Sequence, residues 1–132
     1  MKNLAIALLT ALSAFTLACG YSNKAMTPTQ AGTVPAIAQL APASLNHGAP
    51  AFVLTVNGSS FSSTGTINWN GTTLTTTFVS ANQMMATVPA SAVATAGTVP
   101  VTVTNPGTAG TGMYGSGGTT AETSSPMNFT IN

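Results

Sequence analysis

Gly65-Thr66-Ile67-Asn68-Trp69-Asn70-Gly71-Thr72-Thr73-Leu74-Thr75-Thr76-Thr77-Phe78 is the stretch that decides how this chain folds. Ile67 and Trp69 share one parity, and Leu74, Thr76 and Phe78 share one after the turn. Asn-Gly between two alternating runs is a strong hairpin signal, because both turn residues must take positive φ. The reading is a hairpin over 65–79 with Trp69, the only tryptophan, pointing inward.

Working outward, the same alternation recurs. Ala51 to Val56 reads as a strand with Phe52, Leu54 and Val56 inward. Asn57-Gly58 reads as its break, with a bulge at Gly58 to bring Phe61 into the core. Gln83 to Val88 puts Met84, Ala86 and Val88 in phase, and Pro89 stops it. Ala90 to Ala96 is a connector with one helical turn, closed by Gly97. Val99, Val101 and Val103 alternate over Thr98 to Thr104, and Met127, Phe129 and Ile131 close the chain in phase. Val34 to Pro42 has proline near both ends, which suits an edge strand, and the parity change between Ile37 and Leu40 calls for a bulge. Ser44 to Pro50 and Asn105 to Ser125 read as loops. About seven short strands with turn signals between them give an all-β sandwich.

Composition fits one such domain in 132 residues. Lys2, Lys24 and Glu122 are the only charged side chains, while threonine occupies 24 positions. Threonine and valine suit half-buried pleated surfaces, and glycine and proline punctuate them. With no basic footprint to neutralise phosphates, nucleic acid is excluded as a partner.

The first 18 residues carry one cation, Lys2, and then an apolar run from Leu4 to Ala18. That is the pattern of a signal peptide, and the run is short for a membrane span of roughly 20 residues. It ends Phe15-Thr16-Leu17-Ala18-Cys19-Gly20. The end resembles a bacterial lipoprotein lipobox, which implies a diacylglycerol on Cys19 and cleavage before it. Thr16 stands where that family usually has leucine. The alternative is ordinary signal cleavage with Cys19 incidental. Gly20, in place of the aspartate tied to inner-membrane retention, favours the outer membrane or the surface. Residues 19–33 read as a lipid-attached flexible tether and 34–132 as the domain.

The order of residues over 34–132 resembles an IPT/TIG domain, an immunoglobulin-like fold. The resemblance is carried by Pro35-x-Ile37, Pro42-x-Ser44, Gly48, Phe52 through Phe61, Trp69-Asn70-Gly71, Phe78-Val79-Ser80, Ala86-Thr87-Val88-Pro89-Ala90, Ala96-Gly97, Val99 through Pro106 and Phe129-Thr130-Ile131. The loop 105–125 is long for the family, and Gly48-Ala49-Pro50 replaces its paired glycines. The family has no shared catalytic site, so the resemblance implies a fold and a binding or spacer role.

Catalytic inventories are missing. One Glu cannot make the carboxylate pair of a glycosidase. His47 has no aspartate to orient it, so a Ser-His-Asp triad is excluded, and it reads as a solvated loop residue. His47, Cys19 and Glu122 are too scattered for a metal site, and carboxylates for calcium are lacking. Met84-Met85 reads as core and edge packing. No catalytic residue, metal or cofactor is expected. Tyr114, flanked by glycine in the long loop, is the candidate binding residue, against the plainer reading of a linker-like loop.

These readings point to a non-catalytic, exported, lipid-anchored envelope protein. Its role is to bind polysaccharide or another envelope protein, or to serve as a structural lipoprotein without a ligand. Labelled palmitate is expected to enter the wild-type chain and not Cys19→Ala; equal labelling of both would remove the lipid anchor from the account.

Overall fold

A computed structural model describes residues 30–112 and 117–132. Ten β segments make two sheets. They are β1 (Ala36–Ala41), β2 (Ser44–Leu45), β3 (Phe52–Ser59), β4 (Thr66–Trp69), β5 (Thr72–Thr73), β6 (Thr76–Ser80), β7 (Gln83–Val88), β8 (Gly97–Asn105), β9 (Glu122–Thr123) and β10 (Met127–Ile131). One sheet runs β1-β3-β7-β6; the other runs β2-β10-β8-β4-β5, with β9 also on β8. Every pairing is antiparallel except that of β2 with β10. Three of the ten segments are only two residues long, so the longer ones are the seven strands the alternation predicts. The fold is an immunoglobulin-like β-sandwich.

Alternation places the core. Leu54 and Val56 of β3 and Met84, Ala86 and Val88 of β7 face Ile67 and Trp69 of β4, Val101 and Val103 of β8, and Phe129 and Ile131 of β10, all buried. The bulge in β1 falls between Ile37 and Gln39 and turns Leu40 inward. The connector after β7 is a 3-10 turn, Ala90–Val93, whose Val93 is fully buried. Nothing in the short-range pattern singled out that valine.

Asn70 and Gly71 form the tight turn, with φ of 49° and 83°. The hairpin it closes is much shorter than expected. β4 and β5 share only the pairs Trp69↔Thr72 and Asn68↔Thr73. At the next rung Leu74 N–H donates to the Ile67 carbonyl at 2.9 Å, but the reverse bond is missing. In its place the Thr76 hydroxyl accepts from Ile67 N–H at 2.9 Å and donates to the Leu74 carbonyl at 2.9 Å. A side-chain hydroxyl inserted into a ladder satisfies both backbone groups while holding them apart. The chain therefore leaves this sheet at Leu74 and joins the other as β6. Phe78, expected inward, lies on the outermost strand and is 37% exposed.

Three other expectations change. Asn57-Gly58 does not break β3, which runs on to Ser59; the turn comes at Ser60, with φ of 62°. Gly58 is there because a Cβ would collide with the Ala36 carbonyl and the Phe61 ring. Ser44 to Pro50 contains β2, the strand that brings the chain to the second sheet. The described residues of 105–125 make an arm with some β pairing: β8 continues to Asn105, β9 pairs with it and Thr108 bridges Thr119.

Gln30 to Thr33, read as tether, pack on that arm. Gln30 bridges Thr119, and Thr120 N–H donates to the Gln30 carbonyl at 3.1 Å. Asn105, only 6% exposed, joins three segments. Its Nδ2 donates to the carbonyls of Thr33 and Ser60, both at 2.8 Å, and its Oδ1 accepts from Ser62 N–H at 2.9 Å.

The Thr76 hydroxyl can be tested by exchange. Thr76→Val is expected to cost about 1–3 kcal/mol, the penalty for stranding partly buried polar groups, and Thr76→Ser less than half of that. Urea unfolding followed by Trp69 emission checks both. Equal losses would show that the hydroxyl is not what spreads the hairpin.

Candidate functional site

Among the described residues, the titratable side chains of His47 and Glu122 lie far apart. His47 is exposed, and its backbone N–H and ring Nδ1 donate to the Asn132 carbonyl at 2.7 and 2.8 Å. Asn132 follows Ile131, which pairs with Gly97 at the start of β8. Glu122 pairs with Asn105 at the other end of β8. Eight residues of strand separate those ends, roughly 26 Å at the usual rise. His47 and Glu122 therefore cannot share a proton or a reacting group. Glu122 Oε1 accepts from the Thr120 hydroxyl at 2.8 Å. No group of three or more metal-ligating side chains occurs among the described residues.

Met84 and Met85 divide as the alternation requires. Met84 is fully buried, and Met85 lies half-buried on the outer face opposite Thr55. Trp69 is core, packed against Phe129 at 4.9 Å between ring centroids, and so offers no platform to a sugar. Cys19 and Tyr114 lie outside the described residues.

A cleft of about 280 Å³ lies where Gln30–Thr33 meet the arm, lined also by Ser62, Asn105, Thr108, Thr119 and Thr120. It falls just below the usual volume of a small-molecule pocket, about 300–1,000 Å³. Several of its polar groups are already engaged. Thr108 and Thr119 share a hydroxyl–hydroxyl bond at 3.0 Å, Thr120 is held by Glu122, and Asn105 is used at both ends. The cleft is a seam between the arm and the N-terminal segment.

The outer faces offer larger surfaces. On the sheet centred on β8, Asn68 Nδ2 donates to Thr104 at 2.9 Å and to Thr102 at 3.4 Å, and its Oδ1 accepts from Thr73 at 2.9 Å. Thr104 also bonds Thr123 at 2.9 Å. The other sheet presents Val53, Thr55, Met85 and Thr77, with Gln83 Nε2 donating to Asn57 Oδ1 at 3.0 Å. Neither patch carries a charge.

Sequence reasoning missed the exposed pair Phe78-Val79 on β6. The signal was present, since adjacent apolar residues have opposite parity and one of them must leave the core unless a bulge intervenes.

Neither a curated protein nor a solved structure matches the chain. A family model does: that of the IPT/TIG domain, over residues 35–131. The match runs from the proline before β1 to the last residue of β10, taking in both sheets. The chain belongs to the IPT/TIG domain family.

Proposed function

We propose that this chain is a non-catalytic lipoprotein of the bacterial cell envelope that binds a neutral partner, either a polysaccharide or another envelope protein. IPT/TIG domains are generic immunoglobulin-like modules, often used in binding or adhesion and generally non-catalytic. The single observation that carries the reading is the uncharged outer surface of both sheets, built from Thr, Asn, Gln and a few apolar side chains. Such a surface exchanges hydrogen bonds and apolar contact but does not steer charged ligands. The lipobox-like end of the signal segment supports anchoring through Cys19, with the outer membrane or surface favoured. An anchor would raise the local concentration of the domain and make weak contacts useful.

One observation favours a second reading, a structural lipoprotein with no ligand. The hydroxyls and amides on the β8 sheet are paired with one another, so fewer remain for a partner.

Tagged full-length chain, solubilised from membranes, decides between them in a pull-down and a glycan panel at low and high salt. Retention of an envelope component is expected to change by less than about twofold between salt conditions, because screening acts on charges. Binding that collapses with salt would contradict neutral contact. Retention of nothing would leave the structural reading.

A further inference from the structure

The sequence holds two Asn-Gly pairs, Asn57-Gly58 and Asn70-Gly71, and the fold treats them oppositely. Asn57-Gly58 lies inside β3 and is half-buried at both positions. Gly58 N–H donates to the Asn82 carbonyl at 2.9 Å, and a Cβ on Gly58 would collide with the Ala36 carbonyl. Asn57 Oδ1 accepts from Gln83 Nε2 at 3.0 Å. Asn70-Gly71 is the exposed turn between β4 and β5, and both residues have positive φ. A Cβ on Gly71 would meet nothing within 4 Å. No described residue accepts from Gly71 N–H or bonds the Asn70 side-chain amide.

We propose that Asn70 is a covalent modification site, converting spontaneously to aspartate and isoaspartate while the protein stays folded, and that the fold protects Asn57 from the same change. The proposal does not rest on the neutral-partner reading. Asparagine before glycine suits this reaction, because no side chain on the following residue shields its nitrogen. The Gly71 nitrogen attacks the side-chain carbonyl carbon of Asn70 and bonds to it. The bond from that carbon to the side-chain nitrogen breaks, and ammonia leaves with the proton that Gly71 gives up. Water then opens the cyclic imide at either carbonyl, leaving aspartate or isoaspartate; nothing is oxidised or reduced. Ring closure needs the backbone between the two residues to rotate. At an exposed turn that is a local opening of low cost, whereas at Asn57 it would part β3 from β1 and β7. The change matters here because Glu122 is the only charged side chain among the described residues, and either product adds a carboxylate. Aspartate still suits the turn, since Asp-Gly also favours it. Isoaspartate inserts a methylene into the backbone of a turn whose length sets the register of β4 on β5.

Purified full-length chain is held in mildly alkaline buffer, folded in one arm of the experiment and unfolded in guanidinium chloride in the other. Trp69 emission reports the state of the chain in each arm. Peptide mapping by mass spectrometry follows conversion at both asparagines over time, and labelling by an isoaspartyl methyltransferase measures the isoaspartate. In the folded arm Asn70 is expected to convert at least about tenfold faster than Asn57, whose reaction waits on the opening of a core strand. In the unfolded arm, where both pairs lie in open chain, the two rates are expected to agree within about twofold. Equal rates in the folded arm, no conversion at Asn70 over the time in which the unfolded chain reacts, or a preference for Asn70 that survives unfolding undiminished would each overturn the proposal.

Discussion

Phe52 reaches across the sandwich from β3 to meet Trp69 of β4 and Phe129 of β10. It is edge-on to Trp69 at 6.3 Å and stacked on Phe129 at 5.7 Å, while Trp69 and Phe129 lie 4.9 Å apart. This three-ring contact joins the two sheets, and the rest of the structure depends on it. The chain has few other ways to hold the sheets together. A single cysteine allows no internal disulfide, and with three charged side chains there is little for ion pairing to do. Aromatic pairs contribute about 0.5–1.5 kcal/mol beyond the area they bury, whereas an outward threonine pair gives a few tenths to about 1 kcal/mol. Around the rings, Leu54, Val56, Ile67, Met84, Val101 and Val103 fill the space between the sheets.

Two polar devices then shape what the core alone leaves open. The Thr76 hydroxyl ends the β4–β5 hairpin and sends the chain to the opposite sheet. The Asn105 amide ties Thr33, Ser60 and Ser62 to the end of β8. Both sit where backbone groups would otherwise be stranded away from water, and this is why single side chains control the path of the chain.

Elements governed by alternation were legible: β3, β7, β8 and β10, the bulge in β1 and the turn at Asn70-Gly71. Period-two burial is a local property and can be read locally. What depended on a distant partner was hidden. Thr76 looks like any strand threonine until its hydroxyl meets Ile67. The span from Asn105 to Ser125 carries no apolar alternation, and its described residues are held instead by backbone pairing and by hydroxyls such as those of Thr108 and Thr119. Gln30 to Thr33 read as tether because the Thr119 and Thr120 they pair with lie almost ninety positions away. For the site, the poverty of titratable groups was plain from composition, and geometry adds that His47 and Glu122 stand at opposite ends of β8. Exposure at Phe78 and Val79 followed from the change of sheet, which the sequence pattern did not reveal.

The central claim is that rings from opposite sheets hold this fold together. A double-mutant cycle on Phe52→Leu and Trp69→Leu, with stability read from urea unfolding by far-UV circular dichroism, tests it most directly. The two costs should fall short of additivity by about 0.5–1.5 kcal/mol, the usual worth of an aromatic pair. Additivity within about 0.3 kcal/mol, the behaviour of independent sites, would contradict it.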